Sequence, residues 1–336
     1  MGLIRNTLLL LILVACSPQV HKPIAVLSQP IAPIKSSNVA DVDILPDPDV
    51  VTNPTPPLQE APPSSATTPD PSPPAPAPQA VTAIGCSQKG VAGPLESVIV
   101  DGLERSVITR LPEDYIPTKR YPLIFAFHGR TNANYQVQRY YRLDKAMPNA
   151  IIFYPSGLPQ GSGFSWANAG DGADNLRDYA LFDELLRLAK SHYCVDETKV
   201  FAVGHSLGGY FAASLGCARG RYLRAIASLG GGIQAGTCEA KTAALILHNP
   251  NDNLVPVTEG QRARDSFLKT NALSSGAVST TNPALAAFNC QRYPDALAPV
   301  LWCPHSFDHR YDGGYYPHTW PEQTAEAIAV FFNSLP

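Results

Sequence analysis

Hydrophobic and polar positions alternate in two distinct rhythms from about Ile84 onward. Ser97–Gly102 and Arg105–Leu111 are short alternating runs joined at a glycine-containing turn, which predicts an antiparallel hairpin. Tyr121–Gly129 is unbroken apolar sequence, the pattern of a strand buried on both faces. A helix is expected around Tyr135–Ala146, then a strand over Ala150–Pro155 and a long loop, Ser156–Asp174. Leu176, Tyr179, Leu181, Phe182, Leu185, Leu186 and Leu188 follow a 3.6-residue period and predict a helix ending near Tyr193. Three more apolar strands are expected at Lys199–Val203, Leu223–Leu229 and Ala243–His248, with a last one at Val300–Trp302 and a closing helix over Glu322–Phe332. Strands alternating with helices predict an α/β fold: a mostly parallel twisted sheet with helices on both faces, preceded by the N-terminal hairpin. Sites in such sheets lie at the carboxyl ends of the strands.

The first quarter of the chain lacks this rhythm. Seventeen of the 33 prolines lie between Ser17 and Ala83, and the first aromatic residue is Tyr115. A segment without aromatic side chains cannot bury enough apolar area to offset the entropy of ordering it. Residues 16–83 are therefore expected to be a Pro-rich tether spanning roughly 40–50 Å as a flexible coil, and 84–336 a single folded domain. Before the tether, Arg5 precedes the apolar run Leu8–Val14, which is short for a membrane-spanning helix and suits a secretory signal. Leu13-Val14-Ala15-Cys16 resembles the lipobox of bacterial lipoproteins. That resemblance implies cleavage after residue 15, lipid on Cys16 and a membrane partner reached through the lipid. Ser17, in place of an acid, resembles the signal for outer-membrane sorting. Cleavage as an ordinary signal, leaving a soluble secreted protein, is the alternative.

Six cysteines are left once Cys16 is set aside: Cys86, Cys194, Cys217, Cys238, Cys290 and Cys303. An even count in an exported chain without a C-x-x-C motif predicts three disulfides, not a metal site. Short loops favour Cys290 with Cys303 and Cys217 with Cys238, leaving Cys86 with Cys194, among fifteen possible connectivities. Net charge is 25 − 28 = −3, and the acidic excess belongs to the tether, so nothing points to nucleic acid.

The strand Lys199–Val203 runs into Gly204-His205-Ser206-Leu207-Gly208 and then into Tyr210–Leu215, a helical pattern. This strand–turn–helix context is what the G-x-S-x-G nucleophile elbow requires; a Gly-rich turn that only packs a helix on a strand is the bland alternative. A serine hydroxyl needs a base, and the base needs a group that fixes its tautomer. Asp252 follows the strand ending at His248, and His318 precedes the closing helix. The order Ser206, Asp252, His318 is that of the α/β-hydrolases. Asp252 also suits a simple Asx turn. His305 and His309 lie in the same long loop as His318 and compete for its role, and Asp308 and Asp312 read as solvated loop residues. Two backbone N–H groups are expected to form an oxyanion hole, one from Leu207 and one from Arg130 or Thr131, with His128 as a structural neighbour. The acidic loop Asp171–Asn175 lacks calcium-ligand spacing and reads as a helix cap.

The whole region from Gly85-Cys86 onward resembles the feruloyl esterase and poly(3-hydroxybutyrate) depolymerase-like branch of the α/β-hydrolases, related to carbohydrate esterase family 1. The landmarks are His128-Gly129, Tyr154-Pro155-Ser156-Gly157, Trp166, Gly204–Gly209, His248 with Asp252 and Val255-Pro256, Trp302-Cys303 and His318-Thr319-Trp320-Pro321. Asn249 stands where the family usually has glycine, and Pro304–Pro317 is longer than the family's usual approach to its histidine. The resemblance implies a serine esterase acting without cofactor or metal on a small or oligomeric ester. Feruloylated or acetylated plant polysaccharide fragments are the leading substrate class and hydroxyalkanoate oligomers the second. Trp166 and Trp320 are expected in the substrate site, and the protein is expected to be a monomer. A non-catalytic surface-binding protein with a hydrolase fold is the competing class.

Overall fold

The computed structural model describes residues 84–87, 93–167, 176–234, 238–274 and 276–336. The expected signal sequence, lipidation site Cys16, tether and acidic loop Asp171–Asn175 lie outside the described residues.

The elements in chain order are β1 (Ser97–Val100), β2 (Leu103–Arg110), β3 (Tyr121–Phe127), α1 (Asn134–Tyr141), α2 (Leu143–Ala146), β4 (Ile151–Pro155), β5 (Leu158–Gln160) and β6 (Gly163–Ser165). They continue with α3 (Arg177–His192), β7 (Val195–His205), α4 (Leu207–Ala218), β8 (Ala225–Leu229), β9 (Ala243–His248), α5 (Val257–Asn271) and β10 (Val278–Ser279). The last are α6 (Pro283–Ala286), β11 (Gln291–Tyr293), β12 (Val300–Pro304) and α7 (Thr324–Asn333). Ten strands form one sheet in the order β1-β2-β4-β3-β7-β8-β9-β12-β11-β10. Strands β4, β3, β7, β8, β9 and β12 are parallel, whereas the β1–β2 pair and the β11–β10 pair add antiparallel edges. The fold is an α/β-hydrolase fold.

Both faces of the sheet are covered because each central strand sends apolar side chains both ways. In β3, Leu123, Phe125 and Phe127 join one core with α3, α4 and α5 through Phe182, Phe211 and Phe267. Ile124 and Ala126 join the opposite core with α1, α2 and α7 through Tyr141, Leu143 and Phe332.

Three features depart from the pattern-based elements. The helix expected over Tyr135–Ala146 is broken at Arg142, whose φ is +53°. Tyr141 and Leu143 are both fully buried in the same core. A continuous helix would point residues two apart to different sides, so the break is what lets both turn inward. The long loop after β4 contains the β5–β6 ribbon, which turns at Gly161 with φ +58°. The segment after α5 contains β10, α6 and β11, which at two to four residues each are too short to give a periodic signal.

Disulfides join Cys86 to Cys194, Cys217 to Cys238 and Cys290 to Cys303. The first ties Ile84–Ser87 to the start of β7, and the last clips β12 to the residue preceding β11.

Candidate active site

Ser206 sits between β7 and α4 with φ +57° and ψ −123°, a conformation that a non-glycine residue adopts only when its surroundings impose it. The surroundings are steric. A Cβ on Gly204 would stand 2.0 Å from the Gly208 carbonyl oxygen, and one on Gly208 would stand 2.2 Å from that of Phe127. Side chains at either position would push the helix start off the strand. The Ser206 N–H donates to the Leu229 carbonyl at 2.9 Å, fixing the turn from β8 as well.

Asp252 and His318 meet in the same region. His318 Nδ1–H donates to Asp252 Oδ2 at 2.5 Å, which leaves Nε2 as the free base. The other oxygen, Oδ1, accepts from the N–H groups of Leu254 and Val255, both at 2.9 Å. Asp252 is thus both an Asx-turn residue and the partner of His318, one oxygen for each. Burial alone would raise its carboxyl pKa, but the His318 hydrogen bond and the backbone donors hold it below the usual carboxylate value. His318 itself is only 3% exposed.

Two residues to which the sequence reading gave no role bring His318 toward Ser206. His205, beside the serine, donates from Nε2 to the His318 carbonyl at 3.1 Å. Gly230, next to the Leu229 that binds Ser206, has φ +56°, and a Cβ there would lie 3.2 Å from His318 Cε1 and Nδ1. The run Gly230-Gly231-Gly232 at a strand's carboxyl end was the available signal, since such runs mark close backbone approach. Among the described residues no hydrogen bond joins the Ser206 hydroxyl to His318; in unliganded hydrolases this contact often closes only around substrate.

The expected oxyanion loop lies against the serine. A Cβ on Gly129 would be 3.4 Å from Ser206 Cβ. The Arg130 carbonyl accepts the Phe164 N–H at 2.7 Å, which ties this loop to β6. Leu207 opens α4, where first-turn N–H groups lack helical partners, and Arg130 and Thr131 are both exposed on the opposite loop. His128 is structural: its Nε2 accepts the Gly157 N–H at 2.8 Å, so Nδ1–H donates to the Gly129 carbonyl. Burial pushes its pKa down to about 4 and keeps the ring neutral.

Trp166 is a correction. It is fully buried, stacked on Phe211 with ring centroids 5.3 Å apart, and donates its indole N–H to the His128 carbonyl at 2.8 Å. It therefore supports the oxyanion loop from behind and does not line a substrate site. The buried pair Arg105–Asp178 anchors this wall, because Asp178 also accepts the Ala167 N–H at 2.6 Å. Trp320 is partly buried, stacked on Tyr141 at 3.8 Å and edge-on to His205, the neighbour of Ser206.

The competing histidines are separated by their partners. His309 is exposed and pairs with its neighbour Asp308 at 2.6 Å. His305 is buried against Phe288 and Phe307, and neither ring nitrogen has a hydrogen-bond partner among the described residues. Among the described residues, no group of His, Cys, Asp or Glu has metal-binding geometry. A separate groove of about 820 Å³ runs along Arg142, Lys145, Glu322 and Glu326, and Ser206, Asp252 and His318 do not line it.

A serine on an elbow, an oriented imidazole and a buried carboxylate, set at the carboxyl ends of parallel strands, define an α/β-hydrolase site suited to acyl transfer. The esterase family model matches residues 101–233. "Probable feruloyl esterase C" of Aspergillus terreus is 30% identical over 221 residues, covering 63% of this chain and 76% of its own. "Feruloyl esterase C" of Emericella nidulans is 33% identical over 50% of this chain and 62% of its own. "Feruloyl esterase D" of Neurospora crassa is 29% identical over 69% and 84%. The chain belongs to the esterase family of these feruloyl esterases and is a carboxylic ester hydrolase.

Proposed function

We propose that the protein is an extracytoplasmic serine esterase that cleaves feruloyl or acetyl esters of plant polysaccharide fragments through an acyl-enzyme. The observation that carries the mechanism is the 2.5 Å bond from His318 Nδ1 to Asp252 Oδ2 beside the Ser206 elbow. In this reading His318 Nε2 takes the Ser206 proton as Oγ attacks the ester carbonyl. The N–H groups of Leu207 and of Arg130 or Thr131 hold the oxyanion. His318 then protonates the departing alcohol and activates the water that frees the acid. The feruloyl preference is supported by the names of the relatives. Three disulfides support an oxidising compartment, and the Leu13–Cys16 motif supports a lipid anchor, with residues 16–83 as the tether between it and the folded domain.

One experiment tests both parts. A fluorophosphonate probe on fractionated cells is expected to label the protein in the membrane fraction. Ser206→Ala abolishes the label, and Cys16→Ser moves the labelled band to the soluble fraction. Undiminished labelling of Ser206→Ala would sink the mechanism, and a Cys16→Ser band that stays with the membrane would sink the anchor.

A further inference from the structure

We propose that Tyr316 is a specificity-determining residue of the acyl site, one wall of a slot for a planar phenolic acyl group whose other wall is Tyr140. The proposal rests on the reading of Ser206 as the nucleophile.

The argument begins with what surrounds Ser206. On one side is the loop after β3, where the outward position of Gly129 lies 3.4 Å from Ser206 Cβ and 3.5 Å from Asn132 Oδ1. The Tyr140 hydroxyl donates to that same Asn132 oxygen at 3.4 Å. The Tyr316 ring stands edge-on to the His318 imidazole, centroids 6.1 Å apart at 86°. Tyr316 is half-buried. Burial and then Tyr316 raise the pKa of Tyr140, while burial and then the Asp252 carboxylate raise that of Tyr316. Both stay neutral hydroxyls. The reacting carbonyl must sit about 3 Å from Oγ, so an acyl chain leaving it between the oxyanion loop and the base runs toward these two tyrosines. An acetyl group ends before it reaches them, whereas an aromatic acid extends between them.

The loop is built to hold Tyr316 in place. The Tyr316 N–H donates to the Asp308 carbonyl at 2.6 Å, and His309 bridges Tyr315, closing a small hairpin. The Arg310 guanidinium lies 5.6 Å from the Tyr316 ring centroid. At the hairpin's base, Asn249 donates from Nδ2 to the Phe307 carbonyl at 2.8 Å. Asn249 and the long loop are the two places where this chain departs from the pattern it resembles. They meet in one hydrogen bond, which gives both departures a single structural purpose.

The test compares two esters with the same alcohol, methyl ferulate and methyl acetate, in the full-length chain. Tyr316→Ala is expected to lower kcat/KM for methyl ferulate about 10- to 100-fold, mostly through KM, and to change methyl acetate less than about threefold. Tyr316→Phe keeps most of the ferulate activity, and Tyr311→Ala, at the exposed hairpin tip, changes neither ester. Equal losses on both esters in Tyr316→Ala would assign the residue to positioning His318 and overturn the proposal. So would no loss on either, or a wild type that cleaves methyl acetate but not methyl ferulate. Fluorophosphonate labelling of Ser206 in every variant keeps these outcomes separate from failure of the nucleophile assignment.

Discussion

The elbow Gly204–Gly209 and the loop His305–His318 both deliver a residue to the site, and they are built by opposite means. The elbow is fixed by contacts that glycine alone permits: Gly208 packs where a Cβ would stand 2.2 Å from the Phe127 oxygen, and Ser206 takes the strained backbone that results. The histidine loop is fixed by distant side chains: Asp252 on the His318 ring, His205 on its carbonyl and Asn249 on Phe307. Constraint within a few residues leaves a mark in the sequence as a required spacing of glycines. Constraint from partners far along the chain leaves a histidine that resembles its neighbours.

The comparison breaks first at the base. His318→Ala is expected to lower kcat/KM for p-nitrophenyl acetate by about 10³–10⁴-fold, whereas His309→Ala stays within about twofold of wild type. The reverse result would mean that the hairpin carries the base. The elbow gives the next effect. Gly208→Ala forces backbone apart where no side chain can yield, so it should cost about 3 kcal/mol or more in urea unfolding. A variant of wild-type stability would show that the contact with β3 is not what shapes the turn.

The smallest effect concerns the histidines that do not react. Burial, the largest cause in each case, pushes His128 and His305 down to about 4 and His205 to about 3. An unfolded histidine titrates near pH ~6.5. From there down to about pH 4 the unfolded chain binds protons that the folded chain does not. Acid therefore destabilises, by up to about 1.4 kcal/mol per pH unit for each ring. Asp252, held below the usual carboxylate value, adds its own loss at pH below that range. The expected measurement is a melting temperature that falls steadily from pH 7 to pH 5. Burial lowers His248 as well, so His305→Leu removes one of four such rings, one with no hydrogen bond to lose among the described residues, and should flatten that slope by about a quarter and leave the rate within about threefold. An unchanged slope would show that His305 binds protons equally in the folded and unfolded chain.

The parts of the fold legible in the sequence were those with a long hydrophobic period. Strands β3 and β9 and helix α3 stand within a residue or two of the pattern, because burial on two faces or along one stripe demands many apolar positions in register. The ribbon β5–β6 and strands β10 and β11 were not legible, since each is two or three residues long and owes its form to its pairing partner. Trp166 shows the same limit in the site: its position in the chain marks it as important, yet whether a large aromatic faces substrate or supports a loop depends on what packs against it.

By itself the sequence determined the class of fold, the serine on its elbow and the order of its partners, since turn sterics and hydrophobic period are local properties. It favoured the two disulfides with short loops and left the connectivity for the structure to settle. Only the tertiary structure decided that His318 pairs with Asp252 while neither ring nitrogen of His305 has a hydrogen-bond partner among the described residues, and that Trp166 is buried behind the loop after β3. Those outcomes depend on distances between residues far apart in the chain, and packing sets those distances.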